Sequence, residues 1–214
     1  MGSGAAPPDV VCPHPGPSLQ DGPCADSPLM PGHQEQAQEV LEFWFVRSRP
    51  RQWFSKDPAF DALLTQRFLA LTQQALAAEL EAWNAEASQA LALVLLLDQF
   101  PRQIWRHTAM AFARDQQALA LSLQAVQQGW LGAEPEQARR QFWLMPLMHS
   151  EDLAVQDAAL PLFERFTDPR TADFARRHRA VIARFGRFPH RNAALGRVSR
   201  AEELAFLQTP GSGF

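Results

Sequence analysis

The sequence predicts an all-α protein of about eight helices that stack as antiparallel hairpins. From residue 35 onward the chain is dominated by Ala, Leu, Gln, Glu and Arg, which are good helix formers. β-branched residues are scarce there, and no run of alternating apolar and polar residues indicates a strand. The connections between the predicted helices are mostly short, which favours antiparallel packing of successive helices.

Apolar periodicity and capping signals place the individual helices. Asp57 is expected to cap the second helix, and Pro101 to stop the third. Ser150 is expected to cap the sixth helix, and Ser199 with Glu202 to form a capping box at the start of the last. The predicted helices span residues 36–47, 58–80, 88–99, 108–128, 135–144, 150–166, 171–185 and 199–207.

The chain divides into a leader, residues 1–34, and a single helical domain, residues 35–210. The leader holds 8 of the 17 prolines and 5 of the 11 glycines and has no Lys or Arg. Such a composition cannot bury enough apolar surface to offset its chain entropy, so we expect disorder. Both cysteines, Cys12 and Cys24, lie in this leader.

Charge and apolar run length exclude several classes of partner. The net charge of −3 argues against nucleic acid and anionic membranes as partners. The longest apolar run, 90–97, is far shorter than the roughly 20 residues of a membrane helix. We find no targeting signal, and no P-loop, dinucleotide fingerprint or nucleophile elbow. The sequence therefore predicts a cytoplasmic protein without a cofactor.

Three predicted helices carry a polar residue towards the core. His178 falls in the middle of the apolar face of the seventh helix, and Asp152 falls within that of the sixth, with Gln156 at its edge. Asp98 directly follows 91–97, which is apolar all round. A buried charge needs a partner, so we expect one buried cluster completed by arginines. The candidate arginines are Arg102, Arg106, Arg187, Arg191 and Arg197.

The predicted cluster favours the binding of a small anionic molecule and acid/base chemistry on it. Histidines transfer protons near neutral pH, aspartates orient them or act as bases, and arginines bind carboxylate and phosphate. The candidate catalytic residues are His149, His178, His190, Asp98 and Asp152. The candidate ligand-binding residues are Arg102, Arg106, Glu151, Gln156, Arg187, Arg191, Asn192 and Arg197.

Three alternatives stay open. The cluster could be an ion-pair network that only joins helices. The protein could be a scaffold that binds a peptide or protein partner in a groove lined by exposed aromatic residues. The three candidate histidines could bind a metal with Asp152, but no H-E-x-x-H motif or i, i+4 histidine pair supports this, and we expect no metal.

Several short segments carry a family resemblance that covers about residues 36–208. They are L-D-Q-F-P-R at 97–102, H-S-E-D at 149–152, F-G-R-F-P-H-R-N at 185–192, L-G-R at 195–197, F-W-F at 43–45 and W-F at 53–54. In these segments the chain resembles the bacterial domain-of-unknown-function family 924. The resemblance implies a tetratricopeptide-like helical fold and brings no catalytic assignment. Gln103 stands where the family usually has asparagine, and the leader is outside the family pattern.

Overall fold

Helices form the regular secondary structure of residues 31–213 in the computed structural model, which describes these residues together with residues 1 and 2. The all-α prediction is confirmed for this part of the chain. The predicted disordered leader lies mostly outside the described residues, although the first helix already begins at Pro31. The α-helices are α1, Pro31–Glu42; α2, Pro50–Phe54; α3, Pro58–Leu76; α4, Ala87–Val94; α5, Phe100–Ile104; α6, Asp115–Gln127; α7, Trp130–Ala133; α8, Gln137–Met148; α9, Leu153–Phe166; α10, Pro169–Phe185; and α11, Ala201–Leu207.

Helix α3 corresponds to the second predicted helix, 58–80; it begins where the sequence predicts and ends earlier. Asp57 Oδ1 accepts hydrogen bonds from the backbone N–H groups of Ala59 and Phe60, at 3.1 and 3.2 Å, and so caps the start of α3. The helix ends at Leu76 rather than Leu80 because Ala78 has a left-handed φ of 63°. A left-handed alanine costs about 1–2 kcal/mol relative to right-handed backbone, so this turn is strained.

Pro101 does not stop the helix in which it lies, contrary to the sequence prediction. α4 runs into a π-helical turn, Leu95–Gln99, and then directly into α5. Proline lacks a backbone N–H, but Pro101 lies in the first turn of α5, where an N–H has no partner within the α-helix. The π-helical turn therefore absorbs the change in hydrogen bonding and keeps the chain helical through residue 104.

Two predicted helix caps are shifted along the chain. α9 begins at Leu153, and its N-cap is Asp152, whose Oδ1 accepts from the backbone N–H of Ala154 at 2.8 Å; the predicted cap, Ser150, is wrong. α11 begins at Ala201, where the carboxylate of Glu203 accepts from the N–H of Arg200 at 2.7 Å. The predicted capping box of Ser199 and Glu202 is therefore wrong by one residue.

Packing combines consecutive and distant helices. α8, α9 and α10 pack in order, as helical hairpins do, whereas α1 packs on α4 and α3 on α5. The π-helical turn lies at the centre, since it contacts α3, α6 and α8. Trp44, Trp83 and Trp143 are buried in the core. Within residues 31–213, no helix has the length and apolar character needed to cross a membrane.

Candidate functional site

Asp98 and His149 form a hydrogen-bonded pair at the centre of the protein. Asp98 lies in the π-helical turn and is 0% exposed. Its Oδ1 and Oδ2 lie 2.7 and 3.0 Å from Nδ1 of His149, the residue that follows α8. The carboxylate also accepts from Gln99 Nε2 at 2.6 Å and lies 3.1 Å from Nη1 of Arg102. Such charge-assisted hydrogen bonds satisfy the buried carboxylate.

The electrostatics of the pair favour a charged aspartate and a neutral histidine. Burial alone would raise the pKa of Asp98, but the positive charge of Arg102 and the hydrogen bonds from His149 and Gln99 hold it well below its usual range. Burial lowers the pKa of His149, and the attraction of Asp98 only partly opposes this. The neutral ring therefore donates from Nδ1 to Asp98 and leaves Nε2 as an acceptor.

Asp115 joins the two arginines of the cluster. Arg102 Nη2 donates to both carboxylate oxygens of Asp115 at 2.9 Å, and Arg191 Nη1 donates to Oδ2 at 3.0 Å. Arg191 Nη2 also donates to the backbone carbonyl of His149 at 3.0 Å. Burial, together with the nearby Arg102, lowers the pKa of Arg191 to about 10. Two guanidinium groups thus face two carboxylates, Asp98 and Asp115, and their charges cancel.

Two further histidines lie beside this pair in an aromatic environment. The ring of His178 lies 6.3 Å from that of His149, and its Nδ1 donates to the carbonyl of Phe174 at 2.8 Å. The ring of Phe188 lies 5.6 Å from His178 and 5.5 Å from His190. Burial is the main reason why the pKa values of His178 and His190 are both lowered to about 3. Both rings are therefore neutral near pH 7.

Glu151 and Arg197 anchor the loop between α10 and α11, which carries Arg191. Arg197 donates to both carboxylate oxygens of Glu151, at 2.7 and 3.0 Å, and to the carbonyl of Phe188 at 3.1 Å. Glu151 also accepts from the N–H of Phe188 at 2.8 Å. These two predicted ligand-binding residues therefore hold Phe188 in place beside the histidines.

Glu203 of α11 anchors the same loop from the other side. Its buried carboxylate accepts from Arg187 Nε and Nη2, at 2.6 and 2.8 Å, and from Asn192 Nδ2 at 3.2 Å. The pKa of Glu203 lies well below its usual range, chiefly because of the hydrogen bonds from Arg187. Gln156 has a similar structural role at the end of α8, where Nε2 donates to the carbonyls of Met148 and Ser150.

Asp152 and Arg106 were predicted to join the cluster, but each makes its hydrogen bonds elsewhere. Asp152 is exposed and caps α9; it lies outside the helix, so its predicted position on a helical wheel does not apply. Arg106 donates to Asp61 of α3 at 2.6 and 2.8 Å. Its remaining partner is the backbone carbonyl of Ser55, so the described hydrogen bonds of Arg106 do not reach Asp98.

Asp115 and Glu203 belong to the site, although no sequence pattern singled them out. Asp115 opens α6, but the predicted helix 108–128 placed it in a helix interior, where it had no distinguishing feature. A count of charges offered a signal: several buried arginines need more carboxylates than Asp98 alone supplies. Glu203 lies three residues after Arg200, the pattern of a helix start, and was passed over in favour of Glu202.

The cluster is largely a closed network. In residues 31–213, no group of three or more His, Cys, Asp and Glu side chains is arranged to hold a metal ion. Two cavities, of about 150 and 380 Å³, lie elsewhere, and no residue of the pair or of its arginines lines them. The chemistry that the arrangement offers is proton transfer at His149, whose ring is oriented and polarised by Asp98.

Comparison with known proteins places the chain in a family without an assigned function. The sequence model of the family described as bacterial protein of unknown function (DUF924) matches residues 40–211. The solved structure of a protein of unknown function from Agrobacterium tumefaciens is similar, with 38% sequence identity and a TM-score of 0.76; the match covers 82% of this chain and 98% of that one. A comparison with curated proteins finds no match. The chain therefore belongs to the DUF924 family of bacterial proteins.

Proposed function

We propose that this protein binds a small anionic molecule beside His149 and that the Asp98–His149 pair transfers a proton to or from it. One observation carries the proposal. Nδ1 of His149 is 2.7 Å from the buried Asp98, while Nε2 makes no hydrogen bond within residues 31–213, and the side chain is 12% exposed. A neutral imidazole held in this tautomer is a general base at pH 7, and the adjacent carboxylate stabilises the imidazolium that forms.

Charge balance supports an anionic ligand. Asp98 and Asp115 neutralise Arg102 and Arg191, so the cluster carries no net charge while His149 is neutral. When His149 takes up a proton, the cluster gains one positive charge in a largely buried environment. An anionic group on the bound molecule would offset that charge. Arg191 also keeps a buried Nε–H without an acceptor in the described residues, which a bound anion would satisfy.

Nuclear magnetic resonance of the histidine rings tests the binding step. Inorganic phosphate and succinate, each titrated to millimolar concentrations, should shift the His149 ring signals saturably and raise the pKa of His149. The exposed His107 serves as an internal control and should not respond saturably. If neither anion affects His149 more than His107, the proposed anion site is wrong.

Turnover tests the chemical step. In a screen of p-nitrophenyl esters and phosphates, hydrolysis by the wild-type protein should fall at least about 100-fold in His149→Gln, as expected for loss of a general base. Asp98→Asn should reduce it too, because the amide no longer stabilises the imidazolium. Turnover that survives His149→Gln would place the chemistry elsewhere.

A protein-binding scaffold is the second candidate function. A tetratricopeptide-like arrangement of helices would suit it, because such stacks present a groove to a partner. α1 and the turn after it line the 380 Å³ cavity with Ala37, Leu41 and Val46, and Val46 is 72% exposed. In this case the Asp98 cluster only joins helices. Val46→Asp should then abolish binding of a protein partner and His149→Gln should not, whereas the first proposal expects the reverse for the small anion.

The proposal assumes the cytoplasm as the location. Residues 31–213 contain no cysteine, so the helical domain needs no oxidising compartment for its stability. Fractionation of the producing bacterium tests this directly.

A further inference from the structure

A second polar region lies apart from His149, around the cavity of about 150 Å³. This cavity, called here the α3–α6 cavity, lies between the end of α3, the segment after it, α4 with its π-helical turn, and α6. Leu93, Leu97 and Leu121 form part of its apolar wall. Its polar lining includes Glu81, Asn84 and Gln117.

Two buried amide oxygens of the polar lining have no hydrogen-bond donor among the described residues. Asn84 Oδ1 and Gln117 Oε1 are buried and accept no hydrogen bond in the described part of the chain. Gln124, which also lines the cavity, already uses its Nε2 to donate to the backbone carbonyl of Asn84 at 2.9 Å. Buried acceptors are normally paired, so two such oxygens at one cavity indicate a missing donor.

The cavity lining also includes a carboxylate and a residue with a strained backbone conformation. Glu81 is exposed, and among residues 31–213 no Lys, Arg or His lies within ion-pair distance of it. Ala78, the left-handed residue that ends α3, is part of the lining. Strained backbone of this kind persists where the surrounding structure enforces it, and such residues cluster at binding sites.

We propose that the α3–α6 cavity binds a small primary amine in its ammonium form. An ammonium group has three donors and no acceptor, which matches Asn84 Oδ1, Gln117 Oε1 and the Glu81 carboxylate. The alkyl part lies against Leu93, Leu97 and Leu121. At about 30 Å³ for each water-sized group, the cavity holds roughly five non-hydrogen atoms. The proposal is independent of His149, because no residue of the Asp98–His149 pair lines this cavity.

Titration with n-butylammonium tests the proposal on the full chain. Isothermal titration calorimetry, or amide shifts of α6, should show saturable binding at millimolar concentration. n-Butanol has the same tail without the charge, and butyrate has the opposite charge. Both should bind at least about tenfold more weakly, because n-butanol forms no charge-assisted hydrogen bond and butyrate offers no donor and is repelled by Glu81.

Two substitutions with matched controls locate the site. Gln117→Leu and Glu81→Gln should each weaken n-butylammonium binding about tenfold. Gln116→Leu and Glu79→Gln change neighbouring exposed residues outside the lining and should leave binding unchanged. Because Glu81 is exposed, its variant folds even if Gln117→Leu does not, and it keeps the test decisive.

Three outcomes would overturn the proposal. The first is no saturable binding of n-butylammonium, which would mean that water alone satisfies the two oxygens. The second is binding of butyrate or n-butanol as tight as that of n-butylammonium. The third is ammonium binding that survives Glu81→Gln unchanged.

Discussion

The Asp98 cluster and the α3–α6 cavity are two polar regions that meet at the same π-helical turn. Asp98 belongs to the first, and the preceding residue, Leu97, lines the second. In the cluster, each carboxylate is paired with a cation and most hydrogen-bonding atoms find partners within the chain. In the cavity, two buried amide oxygens find none among the residues that the structure describes. The first region therefore contributes stability by itself, whereas the second leaves hydrogen-bonding capacity that only a bound molecule or water can use.

The largest expected effect comes from breaking the central pair. Asp98→Ala leaves Arg102 and His149 buried without their carboxylate, and it should lower the free energy of unfolding by about 3–5 kcal/mol. Urea denaturation at pH 7 measures the loss. Asp152→Ala is the matched control, because it removes only an exposed N-cap and should cost about 1 kcal/mol. Equal losses in the two variants would show that Asp98 is not the centre of the network.

Acid should destabilise the same region through its histidines. His178 and His190 have pKa values of about 3 in the folded protein, against about 6.5 in the unfolded chain, so the unfolded state binds more protons between these limits. The contribution of these two neutral rings to the free energy of unfolding is complete above pH 6.5 and is lost as the pH falls. Between pH 7 and pH 5, each should remove roughly 2 kcal/mol from the free energy of unfolding.

Urea denaturation at pH 7, 6 and 5 measures this slope. The lowered pKa of Asp98 does not contribute to it, because that carboxylate is already ionised in both states throughout the range. His178→Leu should remove about half of the part due to the two histidines. A free energy of unfolding that stays constant down to pH 5 would contradict the neutral, buried state of these rings.

Neutralising Asp115 should have a smaller effect than removing Asp98. Asp115 binds Arg102 and Arg191, but its side chain is 19% exposed, and both arginines keep other partners, the former at Asp98 and the latter at the carbonyl of His149. Asp115→Asn should therefore lower the free energy of unfolding by about 1–2 kcal/mol. A loss as large as that of Asp98→Ala would make Asp115, rather than Asp98, the dominant anion of the cluster.

Local signals in the sequence were sufficient for much of the fold. Asp57 capped α3 as predicted, and Gly186, with a φ of 70°, ends α10 where glycine is favoured. Pro101 was misjudged because the sequence does not reveal the π-helical turn that accommodates it. Ser150 was preferred as a cap over Asp152, and that shift of the helix start turned Asp152 from an exposed cap into a supposed core residue.

The candidate site was recoverable only in part, because its geometry depends on contacts between distant segments. Asp98, His149 and Arg191 were all predicted and lie together, although 51 residues separate the first two. The sequence alone does not pair them, since no local pattern states which imidazole faces which carboxylate. Asp115 illustrates the limit, as it meets Arg191 across 76 residues of chain.

The smallest expected effect distinguishes the unpaired cavity from the paired cluster most directly. Gln117→Leu removes a buried oxygen that has no hydrogen-bond donor in the described residues and replaces it with a side chain of similar size. Since no hydrogen bond to that oxygen is lost, the free energy of unfolding should rise by up to about 1 kcal/mol. Gln116→Leu, on the exposed surface beside it, should change stability by less than about 0.5 kcal/mol. Thermal and urea unfolding of the two variants, without added amine, measure the difference. A clear loss of stability in Gln117→Leu would mean that water already satisfies this oxygen, and the contrast between the two regions would then disappear.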